Sequence, residues 1–213
     1  KERVWPWEYK APFSPADVIT EYVRPARQRR ADREVTKPAL TDVELIDVPG
    51  VGSLEAFNTD GLRSLLRNCS TPNMVEKTLR YPGHAIRMKI LREAGFFSSD
   101  PVQAASGSVV PRDVTESLLF DAWRFDDGEL DLTVVRIVIE GTKNGQRERH
   151  TGRQLACGRG GAHRLPGRAD AEEGAASEGA PAARARNLLV HVSMKKTLEP
   201  KTAILAARPS HGR

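Results

Sequence analysis

Cysteine is scarce. The 213 residues contain two, Cys69 and Cys157, far apart and in no Cys-x-x-Cys spacing, so neither a disulfide framework nor a zinc site is indicated. Both read as reduced thiols. Long apolar runs are missing too: nothing approaches the roughly 20 residues that span a bilayer, and the opening KERVWPWEYK lacks the charged and apolar regions of a signal peptide. The expectation is a soluble, cytoplasmic chain with no membrane partner. Aromatics are only 6%, and all twelve fall between Trp5 and Phe125.

An excess of either charge is nearly absent from most of the chain. Residues 1–151 hold 22 Lys+Arg against 23 Asp+Glu, whereas residues 152–213 hold 11 against 5, so the net +5 resides in the last stretch. That stretch has no aromatic to stack a base and its glutamates dilute the charge, so nucleic acid is not an expected partner. Several catalytic and nucleotide motifs are missing as well. Gly50-Val51-Gly52-Ser53-Leu54-Glu55 and Gly158-Arg159-Gly160-Gly161-Ala162-His163 both lack the last glycine of a dinucleotide fingerprint, and no Walker A loop occurs. The five histidines include no i, i+4 pair around a glutamate, so a zinc-hydrolase arrangement is not indicated and no bound metal is expected.

What is present suits a globular body. Hydrophobic residues make up 39%, charged residues 29%, and the mean hydropathy is −0.47. Ser14 and Pro15 form a helix-start signal before Val18, Ile19, Tyr22, Val23 and Ala26, predicting a helix over residues 13–30 that Pro25 bends. Residues 34–40, 43–48, 53–57 and 77–81 read as strands, and residues 60–66, 85–94 and 111–123 as helices, the second closed by Gly95. Residues 130–150 predict a hairpin, β-branched on one arm and turned by Asn144-Gly145. Helices mixed with at least one antiparallel pair predict an α+β domain, its sheet covered by helices.

Two segments are more specific: Pro49-Gly50-Val51-Gly52-Ser53-Leu54-Glu55-Ala56-Phe57-Asn58-Thr59-Asp60-Gly61-Leu62 and Glu76-Lys77-Thr78-Leu79-Arg80-Tyr81-Pro82-Gly83-His84. With Trp7 to Pro15 and the helix end Leu91 to Phe97, they resemble the C-terminal, substrate-side domain of the saccharopine dehydrogenase family, over about residues 5–150. The resemblance implies a mixed, largely antiparallel sheet like that of the C-terminal domain of glyceraldehyde-3-phosphate dehydrogenase, a homodimer, and a small amino-acid substrate. It also implies that this chain is a fragment, expected to be inactive alone, to bind no cofactor itself, and to need a Rossmann domain carrying NAD or NADP.

The resemblance places Thr78, Leu79 and Arg80 at the substrate, with the arginine meeting a carboxylate. The chemistry agrees, since a planar guanidinium grips a carboxylate at two points, and residues two apart on a strand share a face. The alternative, structural reading of Arg80 is an ordinary ion pair, for instance with Asp60 or Glu76. Asn58 and Asp60 are candidates for lining the site or for a structural turn. They lie where related reductases have Asn-Arg-Asp-Ser; here Thr59 replaces the arginine and Gly61 the serine, which argues against a large tricarboxylate-like ligand. Lys77 and His84 are candidate proton carriers.

The reading divides the chain at residue 151. Residues 152–186 are roughly half Ala and Gly with interspersed Arg and Glu, a low-complexity composition of the kind GC-rich DNA gives out of frame. The expectation is a disordered, non-native basic tail, in which residues 187–193 could pair as a strand.

Overall fold

Ser14 begins the first helix: its Oγ accepts a hydrogen bond from the Ala16 N–H at 3.2 Å, and Pro15 fills the first turn of α1 (Pro15–Val23). The helix is shorter than predicted. Pro25 holds the preceding Arg24 in an extended conformation (φ −67°, ψ 127°), so the chain leaves the helix and runs on as strand β1 (Ala26–Arg30). The computed structural model describes residues 6–10, 14–126, 130–159 and 184–192.

After β1 come β2 (Arg33–Lys37), β3 (Glu44–Val48), β4 (Gly52–Asn58), α2 (Arg63–Asn68), β5 (Asn73–Arg80) and α3 (His84–Glu93). A small hairpin of β6 (Val102–Ala104) and β7 (Gly107–Val109), additional to the predicted elements, leads to α4 (Pro111–Ala122). The predicted long hairpin is β8 (Leu130–Lys143) with β9 (Gln146–Arg159). Its turn residues Asn144 and Gly145 both have positive φ, 52° and 79°, as a type I′ turn requires. The last strand described is β10 (Arg184–Val192).

The main sheet runs β2-β1-β5-β10-β8-β9, and β3-β4 joins through β4 on β5. One edge of β5 serves two partners: Met74 lies opposite Arg29 of β1, and residues 77–80 lie opposite residues 55–58 of β4. Its other edge takes β10 in parallel, from Asn187 opposite Asn73 to Val192 opposite Thr78, while β10 is antiparallel to β8. Every other pairing is antiparallel, so the α+β expectation with a mixed, largely antiparallel sheet holds.

The composition boundary at residue 151 is not where the strands stop. β9 crosses it and ends at Arg159, and β10 sits between β5 and β8 in the middle of the sheet. The run Leu188-Leu189-Val190 has strand-forming residues that the surrounding Ala, Gly and Arg dilute in any average. The rest of the predicted tail, residues 160–183 and 193–213, lies outside the described residues.

Three apolar clusters hold the fold. Val18, Ile19 and Tyr22 of α1 pack with Phe57 of β4, Ala85 and Met88 of α3, and Leu119 and Trp123 at α4. On the reverse face Leu54, Ala56 and Leu79 pack against Leu132 and Val134 of β8. Leu62 and Leu66 cover Met74 at the start of β5.

Candidate functional site

Strand β5 is buried along almost its whole length, yet one of its faces is polar. Alternation puts Val75, Lys77 and Leu79 on one side and Met74, Glu76, Thr78 and Arg80 on the other. Thr78 and Arg80 therefore share a face, as expected. Leu79 does not join them: its side chain belongs to the reverse cluster with Leu54, Ala56 and Val134. A sheet interior flanked by helices normally carries aliphatic side chains, so Glu76, Thr78 and Arg80, each 3–5% exposed, are costly occupants that need partners.

Arg80 is held from three directions. Its Nε donates to the Tyr22 hydroxyl at 3.2 Å, its Nη1 donates to the Leu79 carbonyl at 2.9 Å, and its guanidinium carbon lies 4.6 Å from the Tyr9 ring centroid. Tyr22 Oη in turn meets His84 Nε2 at 2.9 Å, and His84 Nδ1 meets the Trp7 carbonyl at 2.9 Å. A carbonyl only accepts, so Nδ1 carries the proton and Nε2 accepts from Tyr22. Burial, reinforced by the Arg80 charge, pushes the His84 pKa down to about 3, so the ring is neutral and is no proton carrier near pH 7. The N-terminus of α3 that presents His84 is itself capped from the sheet: Glu55 accepts from the Gly83 and Ala85 amides.

Beside this lies a row of four oxygen-bearing side chains. Thr59 Oγ1 lies 2.9 and 3.1 Å from the two Glu76 carboxyl oxygens and 2.8 Å from Thr78 Oγ1, and Thr78 reaches Glu21 Oε1 at 2.9 Å. The Gly61 amide also donates to Glu76, at 3.0 Å. Burial, with the Glu21 carboxylate nearby, pushes Glu76 up to about 8. Glu21 and Tyr22 of α1, and Tyr9, were not candidates from the sequence. The signal available was the period-two polar pattern Glu76, Thr78, Arg80 on a strand with partners on both edges.

Asn58 and Asp60 lie apart from Arg80. Asn58 pairs with Lys77 in the strand register and so faces the reverse side, where its amide is fully used: Gln28 Nε2 donates to it at 2.8 Å, and it donates to Thr41 Oγ1 and Asp42, each at 3.0 Å. These contacts tie β4 to β1 and to the segment before β3. Lys77 on the same side pairs with Glu44 at 2.8 Å and donates to the Asp42 carbonyl at 2.5 Å. Asp60 takes Arg27 in a two-point pair (3.1 and 3.2 Å), with Arg24 at 4.0 Å. It lines an open cleft of about 490 Å³ with Arg24, Pro25, Arg27, Thr36 and Arg63.

The turn at Gly50 and Gly52 does not fit a dinucleotide. Gly50 and Gly52 have positive φ, 82° and 108°, in the turn between antiparallel β3 and β4, so no helix N-terminus follows them to receive a pyrophosphate.

Comparison with solved structures gives apo saccharopine dehydrogenase (L-Glu forming) from Saccharomyces cerevisiae, with a TM-score of 0.56 and 15% identity over 73% of this chain and 50% of that one. The likeness is one of fold, and the chain spans about half the length of that relative. The family model for the saccharopine dehydrogenase C-terminal domain matches residues 1–208, running past both the composition boundary and β10. The chain belongs to the saccharopine dehydrogenase C-terminal domain family.

Proposed function

We propose that this chain is the substrate-binding and dimerisation portion of an NAD(P)-dependent oxidoreductase acting on the C–N bond of a lysine-type amino acid in the cytoplasm, and that it is inactive alone. The observation that carries the reading is the buried polar face of β5. Retaining Arg80, Thr78 and Glu76 where aliphatic side chains would pack costs stability, and such groups are kept where chemistry needs them. Hydride transfer belongs to a nicotinamide held by a separate dinucleotide-binding domain. The residues of this chain bind and orient: Arg80 offers the substrate carboxylate an oriented cation, and half-buried Glu21, at the end of the Thr78 row, faces an ammonium group. The Tyr9 ring over Arg80 must lift for a carboxylate to reach it; Tyr9 lies outside helix and strand, directly after the turn and bend of residues 6–8.

Apolar side chains left open on two helices support self-association: Ile86 and Ile90 on α3, and Val114, Leu118 and Phe120 on α4. The closed state of Arg80 beneath Tyr9 favours a second reading, a noncatalytic oligomerisation or amino-acid-binding module. Incubating the chain with lysine and NAD or NADP separates these ideas. The first reading predicts lysine binding by calorimetry and no reduced nicotinamide; turnover by the chain alone overturns it, and absence of binding favours the second.

A further inference from the structure

The row Glu76, Thr59, Thr78, Glu21 contains three oxygen-to-oxygen contacts of 2.8 to 3.1 Å. Each contact needs a hydrogen, and the two threonine hydroxyls supply only two. With both carboxylates ionised, Thr59 would donate to Glu76 and Thr78 to Glu21, leaving two hydroxyl oxygens at 2.8 Å with no proton between them. A third proton completes the row, and only a carboxyl group can carry it. We infer that Glu76 and Glu21 share one proton across Thr59 and Thr78, forming a relay from the interior of the sheet to the surface.

The two ends of the relay are equivalent in hydrogen-bond count. With the proton on Glu76, its O–H donates to Thr59, Thr59 to Thr78, and Thr78 to the Glu21 carboxylate. For transfer, the Glu76 O–H bond breaks as its proton passes to Thr59 Oγ1. Thr59 gives its own proton to Thr78, and Thr78 gives its own to Glu21. One proton has moved outward, one negative charge has moved inward, and all three contacts survive with their direction reversed. The Gly61 amide, which donates to Glu76, then holds the inner carboxylate.

Burial sets the resting position. Glu76 is 3% exposed and Glu21 is half-buried, so the proton rests on Glu76 and the charge on Glu21. The charged groups facing Glu76 are Glu21 from α1 and Arg80 from its own strand; Thr59 and Gly61 face it from the segment after β4. Glu76 is pushed up to about 8, in keeping with this placement. Thr59 and Gly61 together hold the Glu76 carboxyl. Use of the relay by a substrate amine rests on the function proposed above; the relay itself does not.

Infrared spectroscopy of the full chain without ligand tests the relay alone. The expected result is a protonated-carboxyl C=O band at pH 7 that disappears in Glu76→Gln and exchanges rapidly in D2O. Thr59→Val should keep the band and slow its exchange by at least about tenfold, while Thr59→Ser restores the fast rate. Absence of a Glu76-dependent band at pH 7 overturns the inference, as does exchange that Thr59→Val leaves unchanged. Circular dichroism identifies a variant that has not folded, and the wild-type band then decides on its own.

Discussion

A Cβ added to Gly61 would stand 2.5 Å from the carboxyl carbon of Glu76 and 2.8 Å from its Cγ. The backbone at 61 and the side chain at 76 thus fit only because residue 61 has no side chain. Gly61→Ala must drive the carboxyl away from Thr59 and the Gly61 amide. The expected cost is about 1–3 kcal/mol, as for overpacking of a filled interior. Urea unfolding measures it, and unchanged stability would show that Glu76 has room to move aside.

Two buried groups shape the pH dependence of stability in opposite directions. Glu76 has its pKa raised from 4.5 to about 8, so between those values the folded state binds a proton the unfolded state has lost, and stability falls as pH rises. His84 has its pKa lowered from 6.5 to about 3, so between those values the unfolded state binds the extra proton, and stability rises with pH. The contributions oppose one another between 4.5 and 6.5, giving a plateau with an acid limb below it and an alkaline limb above it. Each limb has a slope of about 1.4 kcal/mol per pH unit at most. Denaturation midpoints across pH should show the alkaline limb vanish in Glu76→Gln and the acid limb vanish in His84→Asn. A wild-type midpoint that does not fall above pH 6.5 contradicts the account.

Asn58 should behave as a clamp. It joins Gln28 of β1 to Thr41 and Asp42 before β3, all on the side away from Arg80. Asn58→Ala leaves the fully buried Gln28 amide without this acceptor, at an expected cost of about 1–3 kcal/mol. Amino-acid affinity measured on the folded fraction should not change. A selective loss of affinity would return Asn58 to the site.

The sequence made the helices and the long hairpin legible because their signals are local. Ser14-Pro15, Gly95 and Asn144-Gly145 specify a cap, a stop and a turn without any tertiary information. Apolar spacing continues to Ala26, but the conformational limit Pro25 places on Arg24 ends α1 at Val23. Strand β10 was obscured by its surroundings: its place beside β5 depends on pairing with residues more than one hundred positions earlier. The candidate site divided for a similar reason. Thr78 and Arg80 follow from strand alternation, but Leu79 and Asn58 point the other way, and the partners Glu21, Tyr22 and Tyr9 arrive only through packing of α1 and residues 6–10.

The central claim is that Arg80 receives a carboxylate. Calorimetric titration of the chain with a lysine-type amino acid, its carboxamide, and the same amino acid against Arg80→Lys tests it most directly. The account predicts binding of the acid, none of the amide, and at least about a tenfold loss of affinity in Arg80→Lys, because an ammonium cannot reproduce the oriented two-point contact. Equal affinity for acid and amide, or an Arg80→Lys variant that binds like the wild type, would contradict it.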